Sequence, residues 1–196
     1  ETAGFDWPPC EGGNGDMSTA YLTRWEGPLS QTDAASTPAR KHVQAALYLP
    51  DRTGPTDNLD IKQALMSFGA VQTSMYYGDG YFKSTTSAYY NPSIDSSNHA
   101  VVIVGWNDSY SRYDFLQTPP GDGAFIVKNS WGTLYGLSGY FYVSYYDEAI
   151  GTNNFVFNNA EKTTNYGKIY QYDKLGWVTS YGYTDYYGFP LNSAWF

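Results

Sequence analysis

His99 and Asn129 are the residues of this 196-residue chain whose types and spacing point most directly to chemistry. His99 opens the run Asn98-His-Ala-Val-Val-Ile-Val-Gly-Trp106, and thirty residues later Lys128-Asn129-Ser-Trp-Gly132 closes a second apolar run. A thiol is a weak nucleophile near neutral pH until a neighbouring imidazole takes its proton. That imidazole must be held in one tautomer and one orientation, and an amide oxygen does this without adding a charge. The pair reads as the base and the orienting residue of a cysteine-dependent acyl transfer. Trp131 then lies over the two and keeps water from the bond between them. All of this requires the two runs to lie side by side as strands.

The elements that must position these residues are legible as periodic runs. Strands are predicted at 42–49, 70–76, 99–106, 123–129 and 139–146. A short helix capped by Asp16 or Ser18 runs to about Glu26, where Gly27-Pro28 ends it. A second helix starts from Asn58 as N-cap, places Ile61, Leu65, Met66 and Phe68 on one face and ends at Gly69. Glycine-, serine- and proline-containing connections at about 78–97 and 108–122 separate the later strands. Helices come first and strands afterwards, so the fold class is α+β with segregated elements rather than alternating βαβ units.

Composition narrows the partners. The net charge of −8 disfavours nucleic acid and anionic lipid, which need clustered Lys and Arg. No apolar run approaches the roughly 20 residues that cross a bilayer, so no membrane insertion by this chain is expected. Twenty-one tyrosines against 15% charged residues give a Tyr-, Asn-, Ser-, Thr- and Gly-wetted surface, which suggests an extracellular or cell-surface location. One cysteine, Cys10, excludes a disulfide framework within the chain.

No metal site and no cofactor are expected. Two dispersed histidines and one cysteine lack the close ligand pairs of zinc sites. Asp108, Asp114 and Asp122 share a loop, but their spacing fits no compact calcium motif, and they read as solvated carboxylates. His42 has no companion motif and reads as a surface or strand-edge histidine. The doublets Tyr76-Tyr77, Tyr89-Tyr90, Tyr145-Tyr146 and Tyr186-Tyr187 read as strand and turn aromatics, with sugar stacking as the alternative.

The upstream His-Ala-Val and the downstream Asn-Ser-Trp-Gly, in that order and at that spacing, closely resemble the papain family of cysteine peptidases. The resemblance covers roughly residues 5–150. It implies an incomplete helical lobe plus an antiparallel, β-rich lobe, and an endopeptidase acting on peptide or protein substrates. Cys10-Glu-Gly-Gly13 resembles the family's Cys-x-Gly-Gly loop, so Gly12 and Gly13 are expected to pair through their backbones with an extended substrate. Ala70-Val-Gln-Thr-Ser74 resembles the strand that walls the main specificity pocket, which makes Ser74 a lining residue. Asn98, next to the histidine, is also placed among the substrate contacts.

The departures from the family bear on function. The family's nucleophile lies in a Cys-Gly-Ser-Cys-Trp-like stretch about 130–150 residues before the histidine and asparagine. Cys10 is much nearer His99 and sits in a Pro-Pro-Cys-Glu loop, not at the start of an apolar helix. In the resemblance Cys10 occupies a structural, disulfide-forming position. The nucleophile and its oxyanion donors are therefore expected on a separate or missing N-terminal segment, and this chain's own N-terminal fragment is the expected partner. Without that fragment the chain is expected to be inactive and to expose an apolar groove that promotes association. Two alternatives stay open: a catalytically inactive surface protein binding peptide or glycan, and a rearranged site built on Cys10.

The domain reading is a papain-like portion over 1–160 and a second unit over 161–196. Residues 158–167 lapse into Asn, Thr, Glu and Lys, and Ile169-Tyr-Gln-Tyr-Asp-Lys-Leu-Gly-Trp177 then begins a new aromatic segment. That segment resembles the start of the lectin-like domain that follows such peptidases in some microbial surface proteins, with possible glycan contact through the tail. A C-terminal hairpin packed back on the peptidase is the alternative.

Overall fold

The computed structural model describes residues 12–27, 41–93 and 95–170. In chain order the elements are α1 (Gly15–Thr23), β1 (Lys41–Leu49), α2 (Leu59–Phe68), β2 (Val71–Met75), β3 (Phe82–Lys83), β4 (Ala88–Tyr89), β5 (His99–Asn107), β6 (Ala124–Lys128), β7 (Tyr140–Ser144) and β8 (Thr152–Lys162). Residues 47–156 form one compact unit, and 1–46 with 157–196 form another.

In the 47–156 unit, β2 alternates as its sequence dictates. Val71, Thr73 and Met75 are buried while Gln72 and Ser74 are half-buried on the opposite face. β2 pairs antiparallel with β5, β5 with β6, and β6 with β7. β4 runs parallel to β7 and antiparallel to β3, so these strands follow the order β2-β5-β6-β7-β4-β3. The inward residues Val71, Met75, Ile103, Phe125, Val127, Phe141 and Val143 make one core with Ile61, Ala64 and Leu65 of α2. Each such side chain contributes about 1.5–3 kcal/mol on leaving water.

α2 shows why its face is buried and where it stops. Ile61, Ala64 and Leu65 recur at helical spacing, while the expected Met66 and Phe68 are exposed. Gly69 ends it in the left-handed region, φ 86°, and donates to the Leu65 carbonyl at 2.8 Å. Asn58 stands at the N-cap position, but its side chain donates to the Pro55 carbonyl at 2.9 Å and caps nothing.

Between β1 and α2, Arg52 ties loops together. Its guanidinium donates to the carbonyls of Tyr145 (2.8 Å), Ile150 (3.0 Å), Gly54 (3.1 Å) and Asp57 (3.3 Å). Burial lowers its pKa to about 10. Asp147 is the neighbouring buried acid. It accepts from the backbone N–H groups of Asn91, Ala149 and Ile150, yet burial outweighs those bonds and pushes its pKa up to about 6.

In the other unit, α1 departs from expectation at both ends. Asn14, not Asp16 or Ser18, is the cap, its side chain accepting from Met17 N at 2.8 Å. Ser18 instead donates back to the Asn14 carbonyl, the in-helix alternative open to a hydroxyl. The helix stops at Thr23, before Glu26. His42 stands near the start of β1, as the strand-edge reading had it, but it is not a surface residue: it is buried, bonded through Nε2 to Asn165 Oδ1 at 2.7 Å and packed beside Trp25 and Tyr166. A ring so covered needs a polar partner, and Asn165 supplies it.

The connection at 78–97 holds β3, β4 and a 3-10 turn at Asp79–Tyr81 that sequence reading left unassigned. β8 also runs through the polar residues Asn158 to Glu161 as far as Lys162.

Candidate active site

The sheet brings the two chemical motifs together because β5 and β6 are neighbours. His99 is the first residue of β5, across from Met75 at the end of β2, and Asn129 follows β6 directly. Asn129 N donates to the Gly139 carbonyl at 2.9 Å, which holds the residue in line with the strands.

Asn129 Oδ1 receives two donors: His99 Nε2 at 3.0 Å and the Ser130 backbone N–H at 2.8 Å. A backbone N–H can only donate, so it fixes which end of the amide faces the ring. With an acceptor at Nε2, the ring hydrogen resides there, and Nδ1 carries the lone pair of a base. Asn129 is only 6% exposed, so this bond operates away from bulk water. Its Nδ2 is buried with no hydrogen-bond partner.

Trp131 lies against the His99 ring. Its indole lies 4.7 Å from the His99 ring, with planes 26° apart. Gly132 follows at φ 82°, a left-handed turn that takes the chain away behind the indole. Leu134 and Leu137, farther along, are exposed.

The remaining expected residues are placed as follows. Ser74 is half-buried in β2, across from Ala100. Asn98 spends its side chain on Tyr77, accepting from its N–H at 2.7 Å and donating to its carbonyl at 3.1 Å. Gly12 and Gly13 are exposed ahead of α1, with Gly12 at φ 83°. Cys10 lies outside the described residues.

Two residues not assigned to this site from the sequence stand in it. Tyr77 presents its ring edge-on to Trp131, 4.6 Å away at 87°, and Tyr135 does so from 4.9 Å at 89°. The two hydroxyls meet at 3.2 Å. Burial raises both phenol pKa values, so both remain protonated donors. The available signal was the Tyr76-Tyr77 doublet directly after β2.

Among the described residues, no group of three or more His, Cys, Asp or Glu is placed to hold a metal. Asp108 pairs with Lys62 and the Tyr145 hydroxyl, and Asp122 with Arg112, so these loop carboxylates do not converge. Among the described residues no helix is long and apolar enough to cross a membrane.

Residues 9–160 match the sequence model of the papain family cysteine proteases. The chain belongs to that family. Its papain-like α+β fold agrees with solved structures. The clostridial cysteine protease Cwp84 after propeptide cleavage superposes with a TM-score of 0.71 at 29% identity, over 86% of this chain and 46% of that one. The cysteine protease and lectin-like domains of Cwp84, a surface layer associated protein of Clostridium difficile, give 0.67 at 28% identity, over 79% and 38%. Among papain-family sequences, a cathepsin L-like peptidase of Aedes aegypti is 29% identical over 144 residues, 67% of this chain and 39% of that protein. A cysteine protease of Blomia tropicalis is 31% identical over 102 residues, 50% and 27%. The chain thus spans less than half the length of each of these relatives.

Proposed function

We propose that this chain supplies the general base and its orienting residue to a papain-like cysteine endopeptidase, while polypeptide N-terminal to residue 1 supplies the nucleophilic thiol. The observation that carries the reading is the 3.0 Å bond from His99 Nε2 to Asn129 Oδ1 beneath Trp131, which leaves Nδ1 as the basic nitrogen. The Cwp84 structures, at 28–29% identity, belong to a cysteine protease.

In this account His99 Nδ1 takes the thiol proton, giving a thiolate–imidazolium pair, and the thiolate attacks the scissile carbonyl. When the tetrahedral intermediate collapses, the C–N bond breaks and the imidazolium gives its proton to the departing amine. His99 then takes a proton from water as that water opens the thioester. Asn129 keeps the ring in one tautomer through both halves, and Trp131 shields the bond that does so. Gly12 and Gly13 offer backbone hydrogen bonds to an extended peptide. Ser74 lines the specificity pocket, and Asn98, its side chain committed, is left its main chain for substrate.

The N-terminal fragment is the partner this reading requires. The surface-layer context of Cwp84 supports an extracellular or cell-surface location, and its lectin-like domain supports reading 161–196 as the start of a similar unit; glycan contact through that tail is part of the same proposal. The test is hydrolysis of a peptide amide by the full-length protein and by its His99→Ala and Cys10→Ser variants. Turnover lost in the first and intact in the second is the expected result. Turnover lost with Cys10→Ser would move the nucleophile to Cys10. A full-length protein with no turnover would favour a binding scaffold.

A further inference from the structure

Tyr77 joins the backbone that precedes His99 to the rings that cover it. Asn98, the residue before His99, grips both the N–H and the carbonyl of Tyr77, and its own N–H donates to the Met75 carbonyl at 3.1 Å. The Tyr77 ring is stacked on fully buried Tyr89, 5.2 Å away at 19°, and Tyr89 Oη accepts from Gly78 N at 3.2 Å. The ring is therefore fixed from below and from its own backbone. From that position its ring centre lies 4.6 Å from that of Trp131 and 6.0 Å from that of His99.

Trp131 is 46% exposed and follows a strand end, so little else prevents its indole from swinging into solvent. Two edge-on tyrosines restrain it, and their hydroxyls are bonded to each other. Tyr135 is in turn stacked on Phe82, 5.1 Å away at 24°.

We propose that Tyr77 is a positioning residue for the His99–Asn129 pair: with Tyr135, whose hydroxyl it meets, it holds Trp131 over the imidazole. The proposal rests on the reading of His99 as the base. Without the Tyr77 ring, Trp131 loses that contact and water reaches the His99–Asn129 bond.

The experiment is nitrogen-15 NMR of the full-length protein, reading the His99 tautomer and the solvent exchange of its Nε2–H. The wild type is expected to hold the Nε2–H tautomer with slow exchange. Tyr77→Leu should speed that exchange about tenfold or more and mix the tautomers, while Tyr77→Phe, which restores the ring, should stay within about threefold of wild type. An Nε2–H that exchanges unchanged in Tyr77→Leu would overturn the proposal. If Tyr77→Leu loses its cooperative unfolding, Asn98→Ala frees the Tyr77 backbone without touching its ring and must produce the same faster exchange, or the proposal fails. A wild type lacking the Nε2–H tautomer would instead overturn the His–Asn reading beneath it.

Discussion

The indole of Trp131 lies 4.7 Å from the imidazole of His99, with the two planes 26° apart. It covers one face of the imidazole whose Nε2 bonds Asn129. If the proposed reading holds, Trp131→Ala should lower kcat/KM for peptide hydrolysis by the full-length protein about tenfold, part of the value of a hydrogen bond to a charged group. The indole is nearly half exposed, so the stability loss should be below about 3 kcal/mol, the low end for burying such a ring in a core. Steady-state kinetics beside urea unfolding checks both.

Asn129→Ala removes the acceptor that fixes the tautomer. A charge-assisted hydrogen bond is worth about 1.5–3 kcal/mol net, which corresponds to a loss of about 10–100-fold in kcat. KM should change little, because the amide oxygen is spent on His99 and Ser130. A rise in KM at constant kcat would place Asn129 in substrate binding instead.

Asp147 makes a prediction about pH. Its pKa is raised to about 6 by burial, against an ordinary value near 3.9. The folded state therefore keeps the proton over a range in which the unfolded state has lost it. The contribution of Asp147 to stability should be fullest below about pH 4, fall as pH rises to about 6, and stay level above that. The span is on the order of 3 kcal/mol. Unfolding free energies of wild type and Asp147→Asn, measured from pH 4 to pH 7, should converge or cross with that slope. A constant difference would contradict it.

Arg52→Met should destabilise the protein by about 3 kcal/mol or more. Four backbone carbonyls lose their donor, and the two on Tyr145 and Ile150 belong to the loop that Asp147 also holds. Arg52→Lys should recover only part, since an ammonium cannot span the fork of a guanidinium. Midpoints of urea unfolding for the three proteins give the order.

His99, Asn129 and Trp131 were legible because His-Ala-Val and Asn-Ser-Trp-Gly, in that order and spacing, resemble the papain family, while the strand pattern put each motif at the edge of an apolar run. Val71, Thr73 and Met75 alternate with Gln72 and Ser74 in the structure as their chemistry requires. Gly69 marked the end of α2 for the same local reason. Tyr77 and Tyr135 were not legible as a pair, because a contact between hydroxyls 58 residues apart depends on how loops return, which no local period encodes. Asn98 was read among the substrate contacts, but its side chain turns back on Tyr77, whose backbone groups need partners. His42 was read from its missing motif, and burial beside Trp25 was invisible without tertiary contacts.

The most direct test of the central claim is peptide mapping by mass spectrometry after the native full-length protein is exposed to an epoxide that alkylates activated thiols. The account predicts one adduct, on a cysteine N-terminal to residue 1, and its disappearance in His99→Ala, because the activated thiolate depends on this chain's imidazole. An adduct on Cys10, or one that persists unchanged in His99→Ala, would contradict it.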